Sequence, residues 1–145
     1  MSAIVRLCLF SVFLTAFALA ASEDAAGQDK KEVIKITAEE ITKELLKDDD
    51  ATFKKYLGKT VEISGEVLDS FKHAKGPGWG LDLKGVDRGG GKGFSYIRMS
   101  FKPDTADFKK AQKLTKGKKV VVRGEFEFSF GSSILLKDVT IVSTP

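Results

Sequence analysis

The sequence predicts a mainly β fold: a five-stranded, partly open barrel with a helix between its third and fourth strands, preceded by an N-terminal helix. Three observations predict it. From Gly58 onward the apolar residues recur with period two, the signature of half-buried strands. That pattern is interrupted once, between the third and fourth strand-like runs, by a helical stretch. The phrase "GKTVEISGEV" at residues 58–67 also returns as "GKKVVVRGEF" at residues 117–126, entering the first and fourth strands from a helix through Gly-Lys.

The start of the chain is not part of this domain. Arg6 precedes the uncharged run "LCLFSVFLTAFALA", Leu7 to Ala20, which is about the length of a signal-peptide core and short for a membrane span. Ala18-Leu19-Ala20 supplies small-x-small, so residues 1–20 are read as a signal peptide cleaved after Ala20, with export to a periplasm or the medium. Cys8, the single cysteine, falls in that segment, so the mature domain is expected to rely on core packing without disulfides. Residues 21–31, "ASEDAAGQDKK", are small, polar and charged and read as a disordered linker.

Residues 32–57 read as a helical segment packed on the barrel. "EVIKI" is a short extended piece. Thr37 caps the helix that follows, and Glu40 completes a capping box. Ile41, Leu45 and Leu46 form the apolar stripe, and Phe53, Tyr56 and Leu57 are expected in the core after "DDD". Residues 58–145 form the barrel. Val61, Ile63 and Gly65 share one face of the first strand. "WGLDLK" alternates Trp79, Leu81 and Leu83 against Gly80, Asp82 and Lys84, and "FSYIRMSF" is the third strand. A helix over 104–117, capped by Asp104 or Thr105, lines Phe108, Ala111 and Leu114 inward. "KVVVRGEFEFSF" and "SILLKDVTIV" complete the barrel around a tight turn at Gly131-Ser132. This is the strand plan of an OB-fold. Gly65 and Gly124 lie mid-strand and read as bend positions, since closing five strands needs sharp curvature. Phe126, Phe128 and Phe130 alternate with Glu125 and Glu127, which predicts a core row.

The run "ITAEEITKELLKDDDATFKKYLGKTVEISGEV", with "GKKVVVRGEF" and "LLKDVTIV" later, resembles the tRNA_anti-like family. The resemblance covers about residues 34–143. It implies a small bacterial OB-fold protein, often exported, and no established activity. Family members often carry a cysteine in the third strand; "YIRMSF" has none, so no role of that cysteine carries over.

Few residues suggest chemistry. His73, the lone histidine, lies in a basic loop and reads as a surface residue. No nucleophile–base–orienter set can be assembled, so no enzyme is expected. No His/Cys cluster suits a metal, and "DDD" at 48–50 lacks the ligand spacing of a calcium loop and reads as a solvated helix end. "GVDRGGGKG" at 85–93 joins two strands, unlike a phosphate loop, and reads as a mobile hairpin loop. No cofactor is expected.

The sharpest site expectation is on the third strand. If Ile97, Met99 and Phe101 point inward, then Phe94, Tyr96 and Arg98 point outward, on the strand 2–3 face where OB-folds hold ligands. Trp79 is grouped with them. Lys72, Lys75 and Arg88 in the rims, loops 71–78 and 85–93, would meet an anion. The reading is a non-catalytic exported binding module whose ligand class stays open: an anionic polymer, a glycan or a protein. A structural or assembly protein of the cell envelope is the alternative. The formal net charge of +4, lowered by one with the loss of Arg6, permits nucleic acid without favouring it. A nuclease stands lower still, for want of a matching arginine, aspartate and glutamate set.

Overall fold

A computed structural model of the protein describes residues 32–145. The leader and linker read over residues 1–31, with Cys8, lie outside the described residues. The elements run β1 (Val33–Thr37), α1 (Ala38–Lys47), α2 (Asp49–Tyr56), β2 (Thr60–Lys72), β3 (Trp79–Asp87), β4 (Phe94–Phe101), α3 (Ala106–Ala111), β5 (Lys119–Phe130) and β6 (Ser133–Ser143). Strands β2-β3-β4-β6-β5 follow one another around the sheet, and β5 pairs back onto β2 to close it. The β4–β6 pair is parallel. This is an OB-fold barrel, as the strand plan predicts. The extended piece at the start is a true strand: β1 runs parallel to the first half of β2, outside the five-strand circuit.

The repeated phrase pairs with itself. β2 and β5 are antiparallel, with Val61 opposite Gly124 and Gly65 opposite Val120. Gly58 N–H donates to the Phe126 carbonyl at 3.0 Å, and Gly117 N–H donates to that of Val67 at 2.9 Å. Gly58 and Gly117 take φ of 69° and 87°, the left-handed turn that glycine adopts without strain. The two mid-strand glycines serve different neighbours. A Cβ on Gly65 would sit 2.9 Å from Ala38 Cβ, so Gly65 admits α1 to the barrel. A Cβ on Gly124 would sit 2.9 Å from Val139 Cγ2, at a register shift between β5 and β6.

Helix α1 begins as predicted. Thr37 Oγ1 accepts from Glu40 N–H at 3.1 Å, and Glu40 Oε2 accepts from Thr37 N–H at 3.0 Å. Thr37→Ala should destabilise the fold by about 1 kcal/mol, the usual worth of an N-cap, measured by urea denaturation. Ala38, Ile41, Thr42 and Leu45 are buried, but Leu46 is exposed. At 100° per residue, Leu46 lies about 140° round the helix from Ile41, too far to share its stripe. Asp48 ends α1 and caps α2, its Oδ1 accepting from Ala51 N–H at 2.9 Å. Tyr56 is buried against Phe126 at 5.9 Å between ring centroids and donates to Glu44 Oε2 at 3.0 Å. Leu57 follows the helix and is exposed, contrary to expectation. Helix α3 is shorter than its apolar spacing predicts, with Thr105 as N-cap, although Leu114 stays buried in the turn beyond it.

The phenylalanine row in β5 needs correction. Phe126 is fully buried, whereas Phe128 is 45% and Phe130 79% exposed. Phe126 pairs with Leu136 but Phe128 pairs with Leu135, so Glu127 is an extra residue in the ladder. Such a bulge shifts the side-chain phase by one and turns everything beyond it to the other face.

Candidate binding face

The outer surface of the barrel is best described by register. The buried row Leu81–Met99–Leu136–Phe126 crosses β3, β4, β6 and β5. The rows on either side of it point outward. One runs Asp69–Asp82–Arg98–Leu135–Phe128 across all five barrel strands. The next runs Lys84–Tyr96–Ser133–Phe130. Phe71 and Gly80 form a third, shorter row.

Arg98 organises this face. Its Nε and Nη2 donate to the two Asp82 carboxylate oxygens at 2.9 and 2.7 Å, a bidentate pair. That hydrogen bonding holds the guanidinium above its already high pKa. Asp82 is buried, yet 44% of the Arg98 side chain remains exposed. The guanidinium carbon lies 5.2 Å from the Phe71 ring centroid and 5.0 Å from that of Tyr96, so the cation sits between two rings. Phe71 can lie there because Gly80 opposite has no side chain; a Cβ on Gly80 would overlap the ring. His73 extends the row, edge-on to Phe71 at 5.7 Å. Lys84 Nζ stands 4.4 Å over the Phe94 ring.

The predicted residues fall into three groups. Ile97, Met99 and Phe101 are buried, and Tyr96 and Arg98 lie on the outer face with Phe94 beyond them. Trp79 does not share that face. It has the phase of Leu81 and Leu83, packs against the core, and donates Nε1–H to Ser70 Oγ at 2.9 Å. Lys72 is exposed opposite Trp79, on the same inner phase at the end of β2, and Lys75 is exposed in the 73–78 loop. Arg88 closes a rim: its Nη1 donates to Ser132 Oγ at 3.1 Å, tying the β3–β4 loop to the β5–β6 turn. That loop is a glycine hairpin, with Arg88 N–H donating to the Gly93 carbonyl at 3.0 Å.

Phe71, Asp82, Lys84, Phe128 and Phe130 were not foreseen on this face. The spacing of Asp82 did not give its partner. Counting outward from the 88–93 turn sets it opposite Met99, and the register shift between Lys84 and Asp87 brings it opposite Arg98 instead. Phe71 carried no signal, because β2 runs past a bulge between Val67 and Asp69 into residues that read as loop.

No curated protein matches the chain in sequence. Among solved structures, it is similar to a lipoprotein from Klebsiella pneumoniae that has been ascribed nucleic-acid binding. The TM-score is 0.56 at 16% identity, covering 75% of this chain and 92% of that one. It is also similar to asparaginyl-tRNA synthetase from Pyrococcus horikoshii, with a TM-score of 0.42 and 17% identity, over 63% of this chain and 21% of that one. At 16% identity the likeness to the lipoprotein speaks for the fold alone. The tRNA_anti-like family model matches residues 1–140, nearly the whole chain, and the chain belongs to that family.

Proposed function

We propose that this chain is a non-catalytic, exported binding module that seats a single-stranded nucleic acid across the outer face that runs from β2 through β3, β4 and β6 to β5. The observation that carries the reading is the aromatic set around Arg98: Phe71 and Tyr96 flank it, and across β6 Phe128 shares its row while Phe130 shares that of Tyr96. Flat rings on a sheet take bases by stacking, and arginine between rings adds charge without needing a particular base. Five strands about 4.8 Å apart give roughly 19 Å of track. The nucleic-acid binding ascribed to the Klebsiella lipoprotein of like fold agrees with this choice. Export rests on the uncharged Leu7–Ala20 run and its small-x-small end.

A glycan is the second reading, and one observation favours it. Asp82 already matches the Arg98 charge, so the face offers a phosphate chain little free cation beyond Lys84 and the rim residues Lys75 and Arg88. Anisotropy of a labelled single-stranded oligonucleotide, against a neutral oligosaccharide competitor, decides between them. Tyr96→Ala and Phe130→Ala should each weaken oligonucleotide binding by about tenfold, one stacking contact apiece, with a shallow salt dependence. Oligonucleotide binding that is absent, or unaffected by both substitutions, would sink the nucleic-acid reading. Oligosaccharide binding lost in the same variants would establish the glycan instead. Trp79 is a poor optical reporter here, because it sits on the inner phase.

A further inference from the structure

Residues 108–119 read "FKKAQKLTKGKK". Six of these residues are lysines and none is acidic, so a quarter of the 24 Lys and Arg in the chain fall in one short stretch. The local fold turns them all outward. Ala111 and Leu114 are buried and Phe108 packs on the core, which leaves Lys109, Lys110, Lys113 and Lys116 exposed. Gly117, at φ 87°, then turns the chain toward β5, and Lys118 before that strand and Lys119 at its start are exposed as well. Lys110, Lys113, Lys118 and Lys119 converge on one cavity of about 410 Å³, with Leu114 and Thr144 in its wall. Two carboxylates stand close by. Asp107 pairs with Lys110 at 3.2 Å, and Glu66 lies opposite Lys119 in the β2–β5 register. Among the described residues, Lys113, Lys116 and Lys118 have no ion-pair partner.

This shoulder is not part of the aromatic face. Lys119 and Phe128 stand nine residues apart on β5, roughly 30 Å at the rise of an extended strand. We propose that the lysine shoulder docks the protein on an anionic phospholipid bilayer. The chemistry favours a bilayer over a nucleic acid. The cluster holds no arginine fork to grip one phosphate bidentately and no exposed ring to stack a base. Exposed ammonium groups on flexible four-carbon stems suit a dense plane of phosphates, where each added lysine strengthens attraction. Docked by this end, the barrel keeps its aromatic face turned away from the lipid and open to a ligand.

Co-sedimentation of the full chain with vesicles tests this. Phosphatidylcholine vesicles containing phosphatidylglycerol are compared with pure phosphatidylcholine, which sets the baseline for the apolar N-terminal run. Partitioning onto the anionic vesicles should exceed that baseline, and the excess should fall about tenfold or more in the combined variant Lys113→Gln, Lys116→Gln, Lys118→Gln, or on raising salt well past the Debye regime. Tyr96→Ala should leave it unchanged, which separates this surface from the aromatic face. An excess that survives the triple substitution, or no salt-sensitive excess in the unaltered chain, overturns the proposal. So does displacement by inorganic phosphate at constant ionic strength, which would mark a discrete phosphate pocket. A variant that keeps vesicle binding but loses single-stranded oligonucleotide would assign the lysines to nucleic acid.

Discussion

Phe126→Ala should lower stability by about 4 kcal/mol, whereas Phe130→Ala should change it by less than about 0.5 kcal/mol. The two residues lie four apart in one strand and look equivalent in the sequence. Phe126 is fully buried and stacks against Tyr56 at 5.9 Å and edge-on to Phe53 at 6.4 Å. Truncating it removes the apolar burial and leaves a cavity under α2 that rigid strands cannot refill. Phe130 is 79% exposed, so its removal takes little surface out of the interior. Urea denaturation midpoints at constant m-value make the comparison. Equal losses at both positions would mean that the bulge at Glu127 is absent and that the strand alternates without a break. The same pair separates fold from function, because Phe130→Ala is the variant expected to weaken ligand binding.

Gly85→Ala should destabilise the domain by about 3 kcal/mol, one methyl group notwithstanding. Gly85 faces α1 where helix and sheet touch. A Cβ there would overlap Thr42 Oγ1 and lie 2.7 Å from Ser95 Oγ. Thr42 Oγ1 also accepts from Val86 N–H at 3.1 Å while donating to the Ala38 carbonyl at 2.7 Å. Pushing the helix away therefore strains the packing and strips a part-buried backbone donor of its partner. Thermal denaturation would show the loss, and exchange of the Val86 amide should rise well beyond that of its neighbours. Thr42→Ala in the same chain removes two of the three nearest atoms, so the double variant should be more stable than the sum of the single changes predicts. Strict additivity would show that Thr42 is not what Gly85 accommodates.

What could be read from sequence depended on how local its cause was. The Thr37 capping box, the glycines that end α2 and open β5, and the phase of β4 all follow from residues within one turn or one strand. So Ile97 and Met99 are inward, and Tyr96 and Arg98 outward, as alternation predicts. Leu46 and Leu57 failed differently: each is apolar and close to a core position, yet helix geometry in one case and the end of a helix in the other leaves it exposed.

Sequence alone determined that this is a barrel of five main strands with a helix before the fourth, because strand period, turn glycines and caps are short-range properties of the chain. Tertiary structure decided which rings share a face. A bulge arises when two residues on one strand meet a single residue on its partner, so its place depends on the pairing as well as on the strand's own pattern. The shift between Val67 and Asp69 sends Phe71 outward, and the one at Glu127 sends Phe128 and Phe130 after it. Trp79 stays on the inner side because its strand alternates unbroken through Leu83. The aromatic surface around Arg98 therefore exists only once β2, β4, β5 and β6 are paired in register.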